Sequence, residues 1–145
     1  RNMLLTGPNG GGKSSVLKMI GGVAVLAHAW GIVPASSCEM TAFAGLRTSF
    51  NPPEDITQDL STFMAQKKRL DQVQNYARSL EPTQGLLLLI DEPYRGTIEA
   101  GAEKRAYQLG VDLAQYSNTI TVMASHLQAS IELGKTGKFM NKYLD

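Results

Sequence analysis

The apolar residues of this chain follow two patterns that alternate along the sequence. Three short runs are continuous and consist mostly of aliphatic or β-branched residues, which is typical of buried strands; they span residues 3–5, 86–90 and 119–124. Three longer segments carry apolar residues at helical spacing and span residues 13–31, 63–80 and 102–113. This alternation predicts an α/β fold with a mostly parallel sheet flanked by helices, in which residues 86–90 form a central strand covered on both faces.

The remaining elements are predicted from weaker patterns. Residues 32–35 indicate an edge piece or short strand, since Pro34 has no N–H to donate to a ladder. Residues 40–50 are expected to be extended, and the polar loop after them ends on Ser61-Thr62, which is a candidate N-cap of the next helix. A short helix near 129–133 and a partial strand near 138–144 complete the prediction. The helix that begins at Lys13 is apolar on nearly every side, so we expect it to be buried between the sheet and other elements.

A phosphate-binding loop lies between the first strand and the first helix. Gly7-x-x-x-x-Gly12-Lys13-Ser14 matches the pattern G-x-x-x-x-G-K-[ST] at every fixed position. The glycines allow backbone N–H groups to face anionic oxygens, Lys13 reaches the outer phosphates, and the Ser14 hydroxyl is suited to a magnesium ion. The sequence therefore predicts a site for a nucleoside triphosphate and Mg²⁺. The predicted nucleotide-binding residues are Gly7, Pro8, Asn9, Gly10, Gly11, Gly12, Lys13, Ser14 and Ser15.

Two carboxylates follow the predicted central strand directly. Asp91 can hold the magnesium through water, and Glu92 can orient or deprotonate a water in line with the γ-phosphate. Pro93 biases Glu92 away from right-handed helical backbone angles. His126, at the end of another predicted strand, either senses the γ-phosphate or is a packed or capping residue.

The composition is that of an ordinary globular domain and does not by itself indicate a particular function. The chain has 145 residues, of which 43% are hydrophobic and 19% charged, as in one ordinary globular domain. A net charge of +1 gives no basic footprint for nucleic acid. The single Cys38 is expected to be a small buried hydrophobe in a reducing compartment, and the apolar stretch 16–30 to be a core helix instead of a membrane segment. Because the sequence starts on Arg1, we expect 1–145 to be one domain cut from a longer protein.

Four motifs together resemble the ATPase domain of the MutS family of DNA mismatch-repair proteins. They are Thr6-Gly7-Pro8-Asn9-x-Gly11-Gly12-Lys13-Ser14, Leu60-Ser61-Thr62-Phe63, Asp91-Glu92-x-x-Arg95-Gly96-Thr97 and Ala124-Ser125-His126. Gly10 stands where MutS usually has a bulky residue. The segment around Ser61 is closer to MutS paralogues that carry a Smr nuclease domain, whereas Arg95-Gly96-Thr97 is closer to mismatch-repair MutS.

The resemblance implies an ABC-type ATPase core of the P-loop NTPase class, with ATP as substrate and Mg²⁺ as cofactor. It also implies a homodimer or paralogue dimer in which Ser61 acts in trans on the partner's γ-phosphate and His126 is the switch residue. In this family DNA is bound through domains that this chain lacks, and a MutL-type protein is a further expected partner. The expected location is the cytoplasm, at the nucleoid in a bacterium, with no membrane contact.

Two other interpretations remain open. The segment Leu88-Leu89-Ile90-Asp91-Glu92-Pro93 is similar to the second nucleotide motif of transporter-type ABC ATPases, although no Leu-Ser-Gly-Gly-Gln signature precedes it. The chain is also compatible with an ATP-gated dimerisation module that does not hydrolyse. Within the MutS family, the alternative to mismatch repair is a paralogue ATPase that acts on branched DNA.

Overall fold

The structure, a computed structural model, describes residues 2–50, 59–94, 99–126 and 128–145. Side chains of residues 59–63, 99–100 and 128–131 lie outside this description, although their backbone is included. Strands and helices alternate along these residues. In chain order they are β1 (Asn2–Thr6), α1 (Lys13–Trp30), β2 (Gly45–Ser49), α2 (Asp59–Ser79), β3 (Leu86–Asp91), α3 (Glu99–Leu113), β4 (Thr119–Ala124), α4 (Gln128–Lys135) and β5 (Phe139–Tyr143).

The described strands form one parallel sheet in the order β2-β3-β4-β1-β5, which confirms the predicted fold class. All residues of β3 are buried, as expected of a strand covered on both faces. On one face Leu88 and Ile90 pack with residues of α2, α3 and α4. On the other face Leu87 and Leu89 pack with α1. The two apolar layers therefore come from alternate residues of the same strand.

The parallel arrangement brings the carboxyl ends of β3, β4 and β1 to one edge of the sheet. Asp91 is paired with Ala124 in the register of β3 and β4. The pairing continues past the strand ends, since Ser125 N–H donates to the Leu5 carbonyl at 3.0 Å and Leu144 N–H donates to the Thr6 carbonyl at 2.8 Å. The phosphate loop and the two acids therefore share this edge, where ligands bind in parallel α/β sheets.

Residues 32–35 do not form the predicted strand. Ala35 N–H donates to the Val33 carbonyl at 2.9 Å, which closes a tight turn centred on Pro34. Ile32 is exposed. Of the stretch 40–50, predicted to be extended, only Gly45–Ser49 is a strand. The turn prevails because Pro34 fixes its own φ and removes the N–H that a ladder needs.

Two further expectations about the helices are wrong. Only Lys13, Leu17 and Ala24 are buried in α1, all of whose residues are described, while Trp30 at its end is 72% exposed. Helix α1 is thus covered by the sheet along one side only. The polar loop was expected to end on Ser61-Thr62, but α2 begins at Asp59, so the backbone of Ser61 already belongs to the first turn of the helix. Among the described residues, no helix has the length and apolarity that crossing a membrane requires.

His28 connects α1 to the segment that leads to β2. Its Nδ1 lies 2.7 Å from the Ala24 carbonyl oxygen, and its Nε2 accepts a hydrogen bond from Phe43 N–H at 2.8 Å. The two rings stack with their centroids 5.7 Å apart. Both contacts are satisfied together by the tautomer that carries its hydrogen on Nδ1, since Nε2 then has a free lone pair to accept from Phe43 N–H. Cys38, expected to be buried, is exposed in the same segment.

Candidate nucleotide site

Residues 7–12 connect β1 to α1 and form the phosphate loop. Gly10 and Gly12 have φ values of 85° and 82°, in the left-handed region that favours glycine, and a Cβ at either would meet no described atom within 4 Å. Gly11 N–H donates to the Pro8 carbonyl at 3.1 Å, which folds the loop onto itself. The loop is therefore lined by backbone atoms, and it stays open because its glycines have no side chains.

Gly7 is needed for a different reason. Its φ is 145°, and a Cβ there would overlap the carbonyl oxygen of Leu144 and lie 3.2 Å from the Leu144 carbonyl carbon. Leu144 follows β5, and its N–H is hydrogen-bonded to the Thr6 carbonyl, so the end of β5 forms one wall of the loop. Only a glycine permits this close approach of two backbones.

Lys13 is the first residue of α1 and is only 5% exposed. Its Nζ donates to the carbonyl oxygens of Gly7 at 2.9 Å and Pro8 at 2.8 Å. An ammonium group has three N–H donors and no acceptor, so these carbonyls hold the charge inside the loop. The lysine thus lies where it can exchange loop carbonyls for phosphate oxygens.

The amino end of α1 adds to the positive potential of the loop. Gly12 caps the helix with its carbonyl accepting from Val16 N–H at 2.9 Å, and the first turn contains no acidic residue. The N–H groups at the start of a helix have no intrahelical partner and carry a partial positive charge. Backbone donors, the helix end and Lys13 therefore favour an anionic ligand at this position.

Asp91 is the last residue of β3 and is 8% exposed. Alternation along β3 places it on the same face as Leu87 and Leu89, which is the face covered by α1. Its carboxylate is therefore on the side of the sheet that carries the phosphate loop. Ser14 lies in the first turn of α1 on that side.

Glu92 has an unusual backbone conformation. Its φ is 42°, in the left-handed region, which costs a residue with a side chain on the order of 1–2 kcal/mol. Pro93 was predicted to keep it out of the right-handed helical region, and the residue is indeed outside that region. Glu92 N–H donates to the Ala124 carbonyl at 2.9 Å, so the turn after β3 is attached to the end of β4.

His126 and Glu92 are in contact. The Nδ1 of His126 lies 3.2 Å from Oε1 of Glu92, with the histidine side chain 40% exposed and the glutamate 13% exposed. Because a carboxylate only accepts hydrogen bonds, the contact requires the hydrogen on Nδ1 when Glu92 is ionised. The structure thus places His126 against Glu92, the predicted general base, in a position that restricts how the Glu92 carboxylate turns.

Gln66 of α2 is a site residue that the sequence analysis did not identify. It is 6% exposed, and its Nε2 donates to the backbone carbonyl of Glu92 at 3.0 Å. The sequence placed Gln66 at a core-facing position of the helix, in line with Leu70 and Val73. A polar residue at such a position is the signal that could have identified it, since a buried amide needs a hydrogen-bond partner.

The side chain of Ser61 and residues 95–97, which belong to two of the motifs, lie outside the described part of the chain. Among the described residues, no cluster of three His, Cys, Asp or Glu could hold a metal by itself. Mg²⁺ is commonly bound by one or two protein oxygens together with phosphates and water, so the donor set of Ser14 and Asp91 fits that ion.

The parallel sheet, the loop 7–14 and the acids at the end of β3 are those of a P-loop NTPase domain. The family described as MutS domain V matches residues 3–143, and the chain belongs to this family. The DNA mismatch repair protein MutS of Petrotoga mobilis (strain DSM 10674 / SJ95) is 32% identical over 124 residues, which are 86% of this chain and 15% of that relative. The solved structure titled "Structure of C. elegans PCH-2" aligns with 99% of this chain and 34% of that one, at 17% identity and a TM-score of 0.48.

Proposed function

We propose that this chain binds and hydrolyses Mg-ATP as the ATPase domain of a longer MutS-type protein that acts on mismatched DNA. The observation that carries the proposal is the buried Lys13 ammonium, held inside a glycine loop in a chain of the MutS domain V family. The chain spans 15% of the curated relative, so the DNA-binding part of the function is assigned to regions outside these residues.

In this proposal the loop residues 7–15 bind the triphosphate. Backbone N–H groups and the start of α1 receive the anionic oxygens, and Lys13 leaves the Gly7 and Pro8 carbonyls for the outer phosphates. Magnesium, when bound, supplies positive charge that offsets the charge on the phosphates. Ser14 would hold it directly and Asp91 through water.

Glu92 is the proposed catalytic acid-base residue. Its carboxylate would orient the attacking water and accept its proton. The contact at 3.2 Å with His126 holds that carboxylate in place, and His126 senses whether the γ-phosphate is present through the same side chain. The two residues act together because a change at either one alters the hydrogen bond that they share.

The proposed assembly is a homodimer or a dimer with a paralogue. Ser61, in the first turn of α2, would complete the partner's site by donating to its γ-phosphate, as the resemblance implies. The dimer would couple ATP turnover to DNA binding and to a MutL-type protein, in the cytoplasm. The Smr-bearing branch, with branched DNA as its ligand, is the alternative within the family.

Isothermal titration with Mg-ATP tests the assignment of the loop. Lys13→Ala is expected to remove most of the binding, because the loop places no other side-chain cation against the outer phosphates. Circular dichroism is the control for folding. Unchanged affinity in a folded variant would contradict the assignment.

The ATPase rate as a function of protein concentration tests hydrolysis. Turnover that grows faster than linearly supports a dimeric enzyme with shared sites. Tight ATP binding with no turnover at any concentration would instead support a dimerisation module that does not hydrolyse. The assay requires the longest natural protein that contains this chain, since other regions are expected to strengthen the dimer.

A further inference from the structure

The structure assigns Gln66 as a positioning residue for hydrolysis, because its carboxamide holds the backbone carbonyl of Glu92 at 3.0 Å. This inference rests on the proposed ATPase function. Gln66 is separated from Glu92 by 26 positions in sequence and comes from α2, whereas Glu92 follows β3. The contact therefore connects two different elements at the backbone of Glu92, the proposed general base.

Both backbone polar groups of Glu92 are hydrogen-bonded. Its N–H donates to the Ala124 carbonyl at 2.9 Å, and its carbonyl accepts from Gln66. A left-handed residue with a side chain is unfavourable by itself and persists only where its surroundings determine it. The hydrogen bonds from the end of β4 and from α2 fix this conformation, because together they bind the backbone N–H and the backbone carbonyl of Glu92.

The direction of the Glu92 carboxylate depends on this backbone conformation. A rotation about the backbone of Glu92 moves the Cα–Cβ bond and so displaces Oε1 from His126, which lies 3.2 Å away. Pro93 follows directly and restricts which other conformations Glu92 can adopt. Loss of the Gln66 bond is thus expected to misplace the carboxylate without removing it.

The position of Gln66 supports a dedicated role. It is 6% exposed on a helix face whose next core-facing residues, Leu70 and Val73, are apolar and buried. A buried amide costs free energy unless it is hydrogen-bonded, so an apolar residue would serve packing alone better. The bond to Glu92 accounts for an amide at this position.

Helix α2 also carries Ser61 in its first turn. Five helical positions separate Ser61 from Gln66, which is about 7.5 Å along the axis. The hydrogen bond from Gln66 therefore joins the helix that carries Ser61 to the backbone of Glu92.

Gln66→Met tests the inference, because methionine has nearly the same size and no N–H donor. Gln74→Met is the matched control, since Gln74 is a half-buried glutamine on the same helix. In the longest natural protein that contains this chain, Gln66→Met should lower kcat about tenfold or more and leave KM within about twofold. Amide hydrogen exchange at Glu92 should become faster in Gln66→Met and stay unchanged in Gln74→Met.

Gln66→Asn is a second variant in case Gln66→Met does not fold. It keeps an amide that is shorter by one methylene and should also lower kcat with KM preserved. Folded Gln66 variants with the kcat and the Glu92 exchange rate of the wild type would overturn the inference while leaving the proposed function intact. A wild type that binds ATP without turnover would contradict the proposed function, and amide exchange then decides by itself whether Gln66 holds Glu92.

Discussion

Replacing Gly7 by alanine would place a methyl group against the backbone of Leu144. The new Cβ would overlap the Leu144 carbonyl oxygen and lie 3.2 Å from its carbonyl carbon. These atoms belong to the backbone, so no side-chain rotation relieves the contact. The alanine would also have to adopt φ near 145°, a region that is almost restricted to glycine.

The cost has two parts. The unfavourable backbone conformation of the alanine costs on the order of 1–3 kcal/mol. Moving Leu144 away also breaks the hydrogen bond from Leu144 N–H to the Thr6 carbonyl, now 2.8 Å long, which contributes about 1 kcal/mol. We expect Gly7→Ala to lower the free energy of unfolding by about 3 kcal/mol.

Gly10→Ala is the matched control, because Gly10 has φ of 85° and a Cβ there meets no described atom within 4 Å. Its cost is limited to the left-handed backbone, about 1–2 kcal/mol. Urea unfolding followed by circular dichroism measures both variants. If Gly7→Ala proves no less stable than Gly10→Ala, the proposed wall formed by Leu144 is wrong.

Three other predictions concern the site and its surroundings. Glu92→Gln should keep Mg-ATP binding and cut turnover on the order of 10²-fold or more, because it removes the group that handles water; equal loss of both would contradict that role. Mixing Ser61→Ala with Lys13→Ala should restore activity if Ser61 acts in trans, and no recovery despite subunit exchange would argue against a shared site. Burial, with help from the nearby Asp71 carboxylate, raises the pKa of Tyr94 above 10.0, so stability should fall as pH rises above about 10, where the unfolded state ionises first. Tyr94→Phe should remove that part of the pH dependence in thermal melts, and an unchanged profile would refute it.

The local patterns of the sequence determined the order of elements and where along the chain the candidate site residues lie. A continuous apolar run was enough to predict β3, because a strand buried on both faces needs apolar residues at every position. Lys13 and Gly31 mark the start of α1 and its cap, since loop and cap signals lie next to the residues that they affect. Asp91 and Glu92 were placed at the ligand-binding edge because parallel strands share that edge.

The extent to which α1 is covered was decided by the tertiary structure. The helix has apolar residues on nearly every side, which predicted that it would be buried, yet Trp30 and Met19 are exposed. A pattern of side chains shows which faces are apolar and not which neighbours cover them.

Contacts between residues distant in sequence also required the tertiary structure. A buried polar position in α2 marks Gln66, but the sequence does not show that its partner is Glu92. The approach of Leu144 to Gly7 and the left-handed φ of Glu92 likewise have no local signature. Each depends on how α2, β3 and β5 pack around the edge of the sheet. Residue spacing along one element determines its own conformation, whereas the relative positions of elements depend on packing summed over the whole core, and the details of the site follow from those positions.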